Sequence, residues 1–182
     1  MFNYQIHSIE TVPEKSKPLL ELFTQAIGFV SNLAAAIANS PVLANSLLGL
    51  FKNVHGGSFT EAEVQVLLLT NAVTNSSGWP VAFHTALGLK QGIDPTDIQA
   101  IREGRLPKPK RYAALSGLAK KLIENRGQLT DEDVTAFLEA GFEKEHLLEV
   151  VAVVAALTIT NYVGKITNPP LEAVLREHAW RG

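Results

Sequence analysis

One short stretch of the sequence places a histidine beside the residue types of a helix start. Residues 75–92 read N-S-S-G-W-P-V-A-F-H-T-A-L-G-L-K-Q-G, with turn and cap residues at the front and Gly92 just past the expected helix end. On a helix, Ser77, Pro80 and His84 lie at i, i+3 and i+7, so they share one face. The imidazole of His84 could serve there as a general acid or base.

The residues before this histidine favour a well-formed helix N-terminus. Ser77 is predicted to cap the helix by accepting a hydrogen bond from a first-turn N–H, and Pro80 removes no intrahelical bond so early in a helix. Because a helix start carries partial positive charge and free N–H groups, it suits an anion or a thiolate. The stretch therefore has the local structure that a nucleophilic site would need.

Residues 77–88, S-G-W-P-V-A-F-H-T-A-L-G, resemble the signature of the alkylhydroperoxidase D-like, or carboxymuconolactone decarboxylase, family. In that signature a Cys-x-x-Cys pair precedes a histidine, which lies four residues after the second cysteine. His84 matches the histidine, whereas Ser77 and Pro80 stand at the two cysteine positions. A glutamate twelve residues before the first cysteine usually completes the family's proton relay, and Gln65 stands there. The resemblance covers most of the chain, from about residue 18 to residue 170.

The substitutions at the cysteine positions remove one reaction. Peroxide reduction of the family's kind needs a thiolate that becomes a sulfenic acid and then a disulfide. Ser77 does not ionise near neutral pH, Pro80 has no nucleophilic group, and the sequence contains no cysteine. The resemblance implies a role in antioxidant defence, but we predict that this chain lacks cysteine-based peroxidase activity, since a fold can persist after its chemistry is lost.

Three functions remain open, and with them the question of whether the chain is an enzyme. The first is a small-ligand-binding or regulatory protein, with a pocket around Trp79 and His84. The second is a cysteine-independent lactone carboxylate decarboxylase, in which His84 is the general acid or base and a cation such as Lys90 holds the substrate carboxylate. The third is a structural oligomer without a ligand. A nucleophilic pair of Ser77 and His84 lacks an acidic orienting residue, because Gln65 occupies the glutamate position.

The sequence predicts an all-α fold, with residues 1–182 in a single domain. Residues 1–17 form an N-terminal arm and residues 171–182 a tail helix. The longest helix, 143–166, is apolar over most of its surface, which fits either a core helix or one shared between subunits; the resemblance implies a homo-oligomer, as a dimer, trimer or hexamer. Cap residues, apolar periodicity and proline or glycine breaks predict the other helices at 18–29, 32–39, 41–55, 61–74, 78–91, 95–103, 112–125 and 131–140.

Composition and charge exclude several classes of partner. The net charge is −2 and the sequence pI is about 6.2, so neither nucleic acid nor an anionic membrane is an expected partner. The basic loop 104–111 could hold a phosphate, but such loops are more often simply solvated. The most apolar stretch, 147–164, contains polar residues and is interpreted as a core helix rather than a membrane span. The N-terminus lacks the pattern of a secretory signal, so we expect a cytoplasmic location.

We predict neither a metal site nor a cofactor. Glu143 and His146 form one Glu-x-x-His motif, whereas a carboxylate-bridged di-iron bundle needs two such motifs and further glutamates. His7, His55 and His178 have no partner at ligand spacing. The absence of cysteine also excludes disulfides, thiolate metal sites and iron–sulfur clusters within the chain.

Overall fold

The structure is a computed structural model that describes residues 4–182. Within that range the chain forms helices and no strand, which confirms the all-α fold. The α-helices are α1 (Lys17–Ile27), α2 (Asn32–Ile37), α3 (Pro41–Val54), α4 (Glu61–Thr74), α5 (Gly78–Lys90), α6 (Pro95–Arg102), α7 (Lys110–Glu124), α8 (Asp131–Glu139) and α9 (Lys144–Thr167), with 3₁₀-helices at Glu14–Ser16 and Ala173–His178.

Helix α4 lies at the centre of the fold. It is apolar on nearly every side, as the sequence indicates, and it packs against α5, α6, α7 and α9. Its start is fixed by the predicted capping box, in which Glu63 N–H donates to Thr60 Oγ1 and Thr60 N–H donates to Glu63 Oε2. A central helix with so little solvent contact holds its polar side chains, Glu63 and Gln65 among them, inside the protein.

Helix α5 follows α4 through a tight turn and ends as the sequence predicts. Gly92 has a φ of +80°, and the next residue, Ile93, donates its N–H to Gly88 O at 3.1 Å. Gly88 also permits close packing, since a Cβ there would lie 2.7 Å from Ile98 Cδ1. Ser77 occupies the N-cap position, but its side chain makes no capping hydrogen bond, so this prediction was wrong. The Ser77 hydroxyl instead lies against Gly164 of α9, because the residue is buried between the two helices.

Helix α9 packs against helices from early and late parts of the chain, α2 and α3 as well as α4 and α7. Asn161 Nδ2 donates to Asn71 Oδ1 at 2.9 Å, and Asn71 Nδ2 donates to Val154 O at 3.0 Å, so buried hydrogen bonds fix α9 against α4. Within the described range α9 is also the helix that is long and apolar enough to cross a membrane, a test that the core helix of a soluble protein passes as well. One side of α9 packs against α2, α3, α4 and α7, whereas its other side is exposed.

The two ends of the chain differ from the predicted elements. The tail is a 3₁₀-helix at Ala173–His178 rather than a helix over 171–182, because the Arg102 guanidinium binds the carbonyl oxygens of His178 and Ala179 and so ends the helix early. At the other end, the arm is shorter than predicted, since the 3₁₀-helix begins at Glu14 and α1 begins at Lys17. Residues 1–3 of the predicted arm lie outside the described residues.

The basic loop is partly structural rather than simply solvated. Arg111, in the first turn of α7, donates from Nε to Glu63 Oε1 at 2.8 Å, and its guanidinium lies 4.0 Å from the centre of the Phe142 ring. The Lys108 N–H donates to Asp97 Oδ1 at 2.7 Å. The buried carboxylate of Glu63 requires a cation nearby, and this loop supplies it.

Candidate functional site

A cavity of about 280 Å³ lies between α4, α5 and α9 on one side and α1, α2 and the end of α3 on the other. Most of its wall is aliphatic or aromatic, including the rings of Phe23, Phe51, Trp79 and Phe83. The Trp79 and Phe83 rings stack with centroids 5.0 Å apart. The volume is close to the lower end of the range for small-molecule sites, roughly 300–1,000 Å³. The cavity can therefore hold a small, mostly apolar molecule.

His84, Gln65 and Thr160 form the polar part of the cavity interior, and His84 and Gln65 contact each other. Each side chain is almost fully buried, with exposed fractions of 4 % for His84 and 2 % for Gln65. His84 Nδ1 lies 2.9 Å from Gln65 Oε1. Because a carbonyl oxygen only accepts, His84 donates from Nδ1 and its second nitrogen, Nε2, is an unprotonated acceptor. No other hydrogen bond to His84 occurs in the part of the chain that the structure describes, which leaves Nε2 free to accept one from a ligand.

The imidazole of His84 is uncharged at neutral pH. Burial, with a smaller contribution from the nearby His55, lowers the pKa of His84 to about 3. Gln65 can orient the ring but carries no negative charge that would stabilise an imidazolium. The pair therefore acts as a fixed hydrogen-bonding group rather than as a base matched to neutral pH.

Four of the five candidate residues meet at this cavity. Pro80, Trp79, Gln65 and His84 all line it, whereas Ser77 does not. Ser77 instead borders a separate surface depression beside the end of α9, and the described residues show no hydrogen bond between Ser77 and His84. Within this subunit the structure thus gives no support to a nucleophilic pair of these two residues.

Sequence reasoning missed a second polar group at the cavity mouth. His55 Nδ1 lies 2.9 Å from Glu61 Oε2, and both residues line the cavity together with Lys52, Lys90 and the Gln91 amide. One available signal was the spacing of Glu61 and Gln65, which lie at i and i+4 on the same face of α4. The position of His55 depends on how the loop after α3 folds back onto α4, and no local pattern indicates that contact.

Comparison with known proteins decides the fold. No family model and no curated protein matches the sequence. A peroxidase-related protein from Ralstonia eutropha JMP134, described as an alkylhydroperoxidase AhpD core, matches the structure with a TM-score of 0.84, at 17 % identity over 95 % of this chain and 93 % of that one. The chain has the alkylhydroperoxidase D-like fold.

Two further solved structures share this fold. A peroxidase-related protein from Silicibacter sp. TM1040 has a TM-score of 0.80 and 16 % identity, over 96 % of this chain and 92 % of that chain. The debrominase Bmp8 has a TM-score of 0.76 and 15 % identity, over 91 % of this chain and 90 % of that one, and a cysteine-to-alanine variant of it has been solved with 2,3,4-tribromopyrrole. At these identities the likeness shows the fold, while the absence of cysteine from this chain fits a lack of thiol peroxidase chemistry.

Local capping of α9 accounts for the Glu-x-x-His motif of this chain. His146 Nδ1 accepts a hydrogen bond from the Glu143 N–H at 2.9 Å, so the motif fixes the start of α9. Within residues 4–182 there is no group of three or more histidine, aspartate and glutamate side chains that could hold a metal ion.

Proposed function

We propose that this protein binds a small, largely apolar ligand in the cavity beside His84 and acts as a binding or regulatory protein without cysteine-based peroxidase activity. The observation that carries the proposal is the combination of an apolar cavity and a buried, neutral histidine that presents one unused acceptor nitrogen. A site of this kind suits an aromatic or aliphatic molecule with one N–H or O–H donor.

The fold comparison supports this class of ligand. The debrominase Bmp8, which has the same fold, binds 2,3,4-tribromopyrrole, a small halogenated ring with an N–H group. The residues that would make this chain a thiol peroxidase are absent, since neither Ser77 nor Pro80 can form a sulfenic acid or a disulfide. A role in antioxidant defence would therefore depend on ligand binding rather than on peroxide reduction by this chain.

A decarboxylase acting on a lactone carboxylate is the second candidate. Lys90 lines the same cavity as His84, which supplies the cation that such a substrate would need. The low pKa of His84 argues against the decarboxylase, because a general base works best when its pKa is near the operating pH. If His84→Ala abolished lactone turnover by a protein that otherwise binds the lactone, this second function would replace the first.

A homo-oligomer built on α9 is also proposed. The outer face of α9 exposes an apolar stripe at spacings of three, four and seven residues, the pattern of a helix that packs on a partner helix. The stripe consists of Leu148, Val151, Ala155, Tyr162 and Ile166. Light scattering should show an oligomer for the natural protein and monomers for Leu148→Lys/Tyr162→Lys, whereas Val42→Lys, at an exposed residue of α3, should leave the assembly unchanged. A monomeric natural protein would contradict this proposal.

The ligand proposal can be tested with a plugged cavity. Ala26 is exposed and lines the cavity, so Ala26→Trp should fill it without disturbing the core, while Gln25→Trp, one residue away on the exposed side of α1, is the matched control. A thermal-shift scan with hydroperoxides, lactone acids and small aromatic alcohols should stabilise the natural protein and the control. Stabilisation should reach about 2.7 kcal/mol at a hundredfold excess over Kd and should be lost in Ala26→Trp.

Two results would overturn the proposal. One is the absence of any stabilising ligand for the natural protein, which would favour a structural oligomer. The other is turnover of an organic hydroperoxide that depends on a supplied dithiol, because such turnover needs chemistry that the proposal denies.

A further inference from the structure

We infer that the cavity selects organic anions: the apolar part of the ligand lies inside the cavity, and an acid group remains at the mouth beside Lys52 and Lys90. This inference rests on the proposed ligand-binding function and adds the chemical class of the ligand. It starts from the distribution of charge around the cavity, which differs between the mouth and the interior.

The mouth has an excess of positive charge. Lys52 and Lys90 both line the cavity and are exposed at its edge. Neither lysine forms an ion pair in the described part of the chain. Among the residues that the structure describes, Glu61 is the one carboxylate on the cavity wall, and its Oε2 lies 2.9 Å from His55 Nδ1. Because the two lysines outnumber the single Glu61 carboxylate, an arriving anion would meet a net positive charge at the mouth.

The interior cannot accept that charge. Apart from Gln65, His84 and Thr160, the deep wall is aliphatic or aromatic. His84 is neutral and offers an acceptor, and an acceptor repels a carboxylate oxygen instead of binding it. Because an unpaired charge buried in such surroundings is strongly disfavoured, the acid group of a ligand must stay at the mouth. The wall and the mouth together therefore fix the orientation of an amphipathic acid.

A simpler role for the two lysines has to be separated by experiment. Lys52 lies in the last turn of α3 and Lys90 in the last turn of α5, where a positive charge interacts favourably with the helix dipole. That role predicts a small loss of stability on substitution and no effect on ligand choice. If the lysines select anions, their substitution should instead weaken binding of an anionic ligand. Comparing a charged and an uncharged ligand of the same shape therefore distinguishes anion selection from helix stabilisation.

The probes are 4-phenylbutyrate and 4-phenyl-1-butanol, which share the phenyl ring and the chain and differ in charge. Calorimetric titration compares the natural protein, Lys52→Gln/Lys90→Gln and the control Lys15→Gln/Lys144→Gln, which removes the same charge from exposed lysines elsewhere. Circular dichroism and thermal melting confirm that each variant is folded. Each titration is repeated at about 0.05 M and about 0.5 M KCl, since salt weakens exposed charge interactions.

We expect the acid to bind more tightly than the alcohol. The double variant at the mouth should bind the acid roughly threefold to tenfold more weakly, the effect of losing two solvent-exposed charge interactions, and should bind the alcohol as before. High salt should weaken binding of the acid alone, and the control variant should behave like the natural protein.

The contrary results separate the two proposals. Equal affinity for acid and alcohol, unchanged by the lysine substitutions, would overturn the selection of anions and leave the ligand-binding cavity in place. Binding of the acid that persists in Ala26→Trp would place it outside the cavity and would also overturn this inference. Failure of both probes to bind would count against the ligand-binding function itself.

Discussion

Two buried polar sites lie only two residues apart on α4, and they hold opposite kinds of group. Glu63 is a carboxylate with 6 % of its side chain exposed, and it is paired with Arg111 Nε at 2.8 Å. Gln65 is a neutral amide that accepts from the neutral imidazole of His84 at 2.9 Å. The side chains of Glu63 and Gln65 both have hydrogen-bond partners, but the first site contains an ion pair and the second contains no charge.

The surroundings explain the difference. Burial raises the pKa of Glu63, but hydrogen bonds from Thr60 and Arg111 outweigh it and hold the pKa below its usual value. Gln65 and His84 face a mostly apolar cavity, and within residues 4–182 no cation or carboxylate forms a hydrogen bond or ion pair with either of them. This fold therefore tolerates a buried charge where a second chain segment brings the partner, and it has a neutral pair where the cavity wall is apolar.

The largest expected effect is a dependence of stability on pH that comes from His84. Its pKa is about 3 in the folded protein and about 6.5 in the unfolded chain, so the unfolded chain binds the proton more readily. Stability is therefore complete above about pH 6.5 and is lost as the pH falls towards 3, by about 2 kcal/mol between pH 6.5 and pH 4.5. Urea unfolding at a series of pH values measures this loss.

His84→Leu is the control for that prediction. The pKa values of Glu63, Asp133 and Glu149 are held below their usual range, so the contributions of these carboxylates to stability are lost mainly below about pH 4.5. The variant should therefore lose most of the pH dependence between pH 6.5 and pH 4.5. An equally steep dependence in His84→Leu would show that another group is responsible.

Arg111→Ala should break the charged site. The substitution leaves the Glu63 carboxylate buried without its cation, although the half-exposed Arg111 position admits water that softens the loss. We expect the free energy of unfolding to fall by between about 1 and 2 kcal/mol, below the value for a fully buried pair. Denaturant unfolding at pH 7 measures it, and Arg105→Ala, which removes an exposed pair with Glu103, should cost less than about 0.5 kcal/mol.

Gln65→Glu should make the neutral site resemble the charged one. A carboxylate beside His84 favours the imidazolium, so the pKa of His84 should rise by about 1–3 units. At pH 7 the imidazole would still be mostly neutral, so the free energy of unfolding should fall by about 1 kcal/mol, because the hydrogen bond from His84 Nδ1–H offsets only part of the cost of burying the carboxylate. NMR titration of the His84 ring protons reports the pKa. Gln128→Glu, at an exposed position, should leave the pKa unchanged, and a His84 pKa that does not rise in Gln65→Glu would contradict the argument.

The smallest effect is expected when the whole neutral pair is removed. Gln65→Leu alone leaves the Nδ1–H of His84 buried without an acceptor, at a cost of about 1–3 kcal/mol. Gln65→Leu combined with His84→Leu removes donor and acceptor together, so its stability should lie within about 1 kcal/mol of the natural protein at pH 7. Thermal unfolding of the three variants measures the coupling. Additive losses would mean that the two side chains do not act as a pair.

The local signals in the sequence predicted most of the helices and part of the site. The Thr60 capping box, the Ser40–Pro41 helix start and the Gly92 helix end all appear as expected, because each depends on contacts within a few residues. Gln65 and His84 were recognised as related positions from the resemblance, and the structure places them in hydrogen-bond contact. The Ser77 cap was wrong because packing against α9 outweighs the local preference. The tail helix is present but is shorter than predicted and of the 3₁₀ type, since Arg102 binds the carbonyl oxygens at its end.

The amino-acid sequence alone predicts the all-α fold and excludes thiol chemistry within the chain, since helix periodicity is local and the absence of cysteine is a matter of composition. The tertiary structure decided which candidate residues share a cavity. It separated Ser77 from His84, brought Arg111 to Glu63 and placed His55 against Glu61. Tertiary packing also keeps His84 neutral, because its pKa depends on burial and on neighbours from distant segments. Residue spacing along the chain does not indicate either of these.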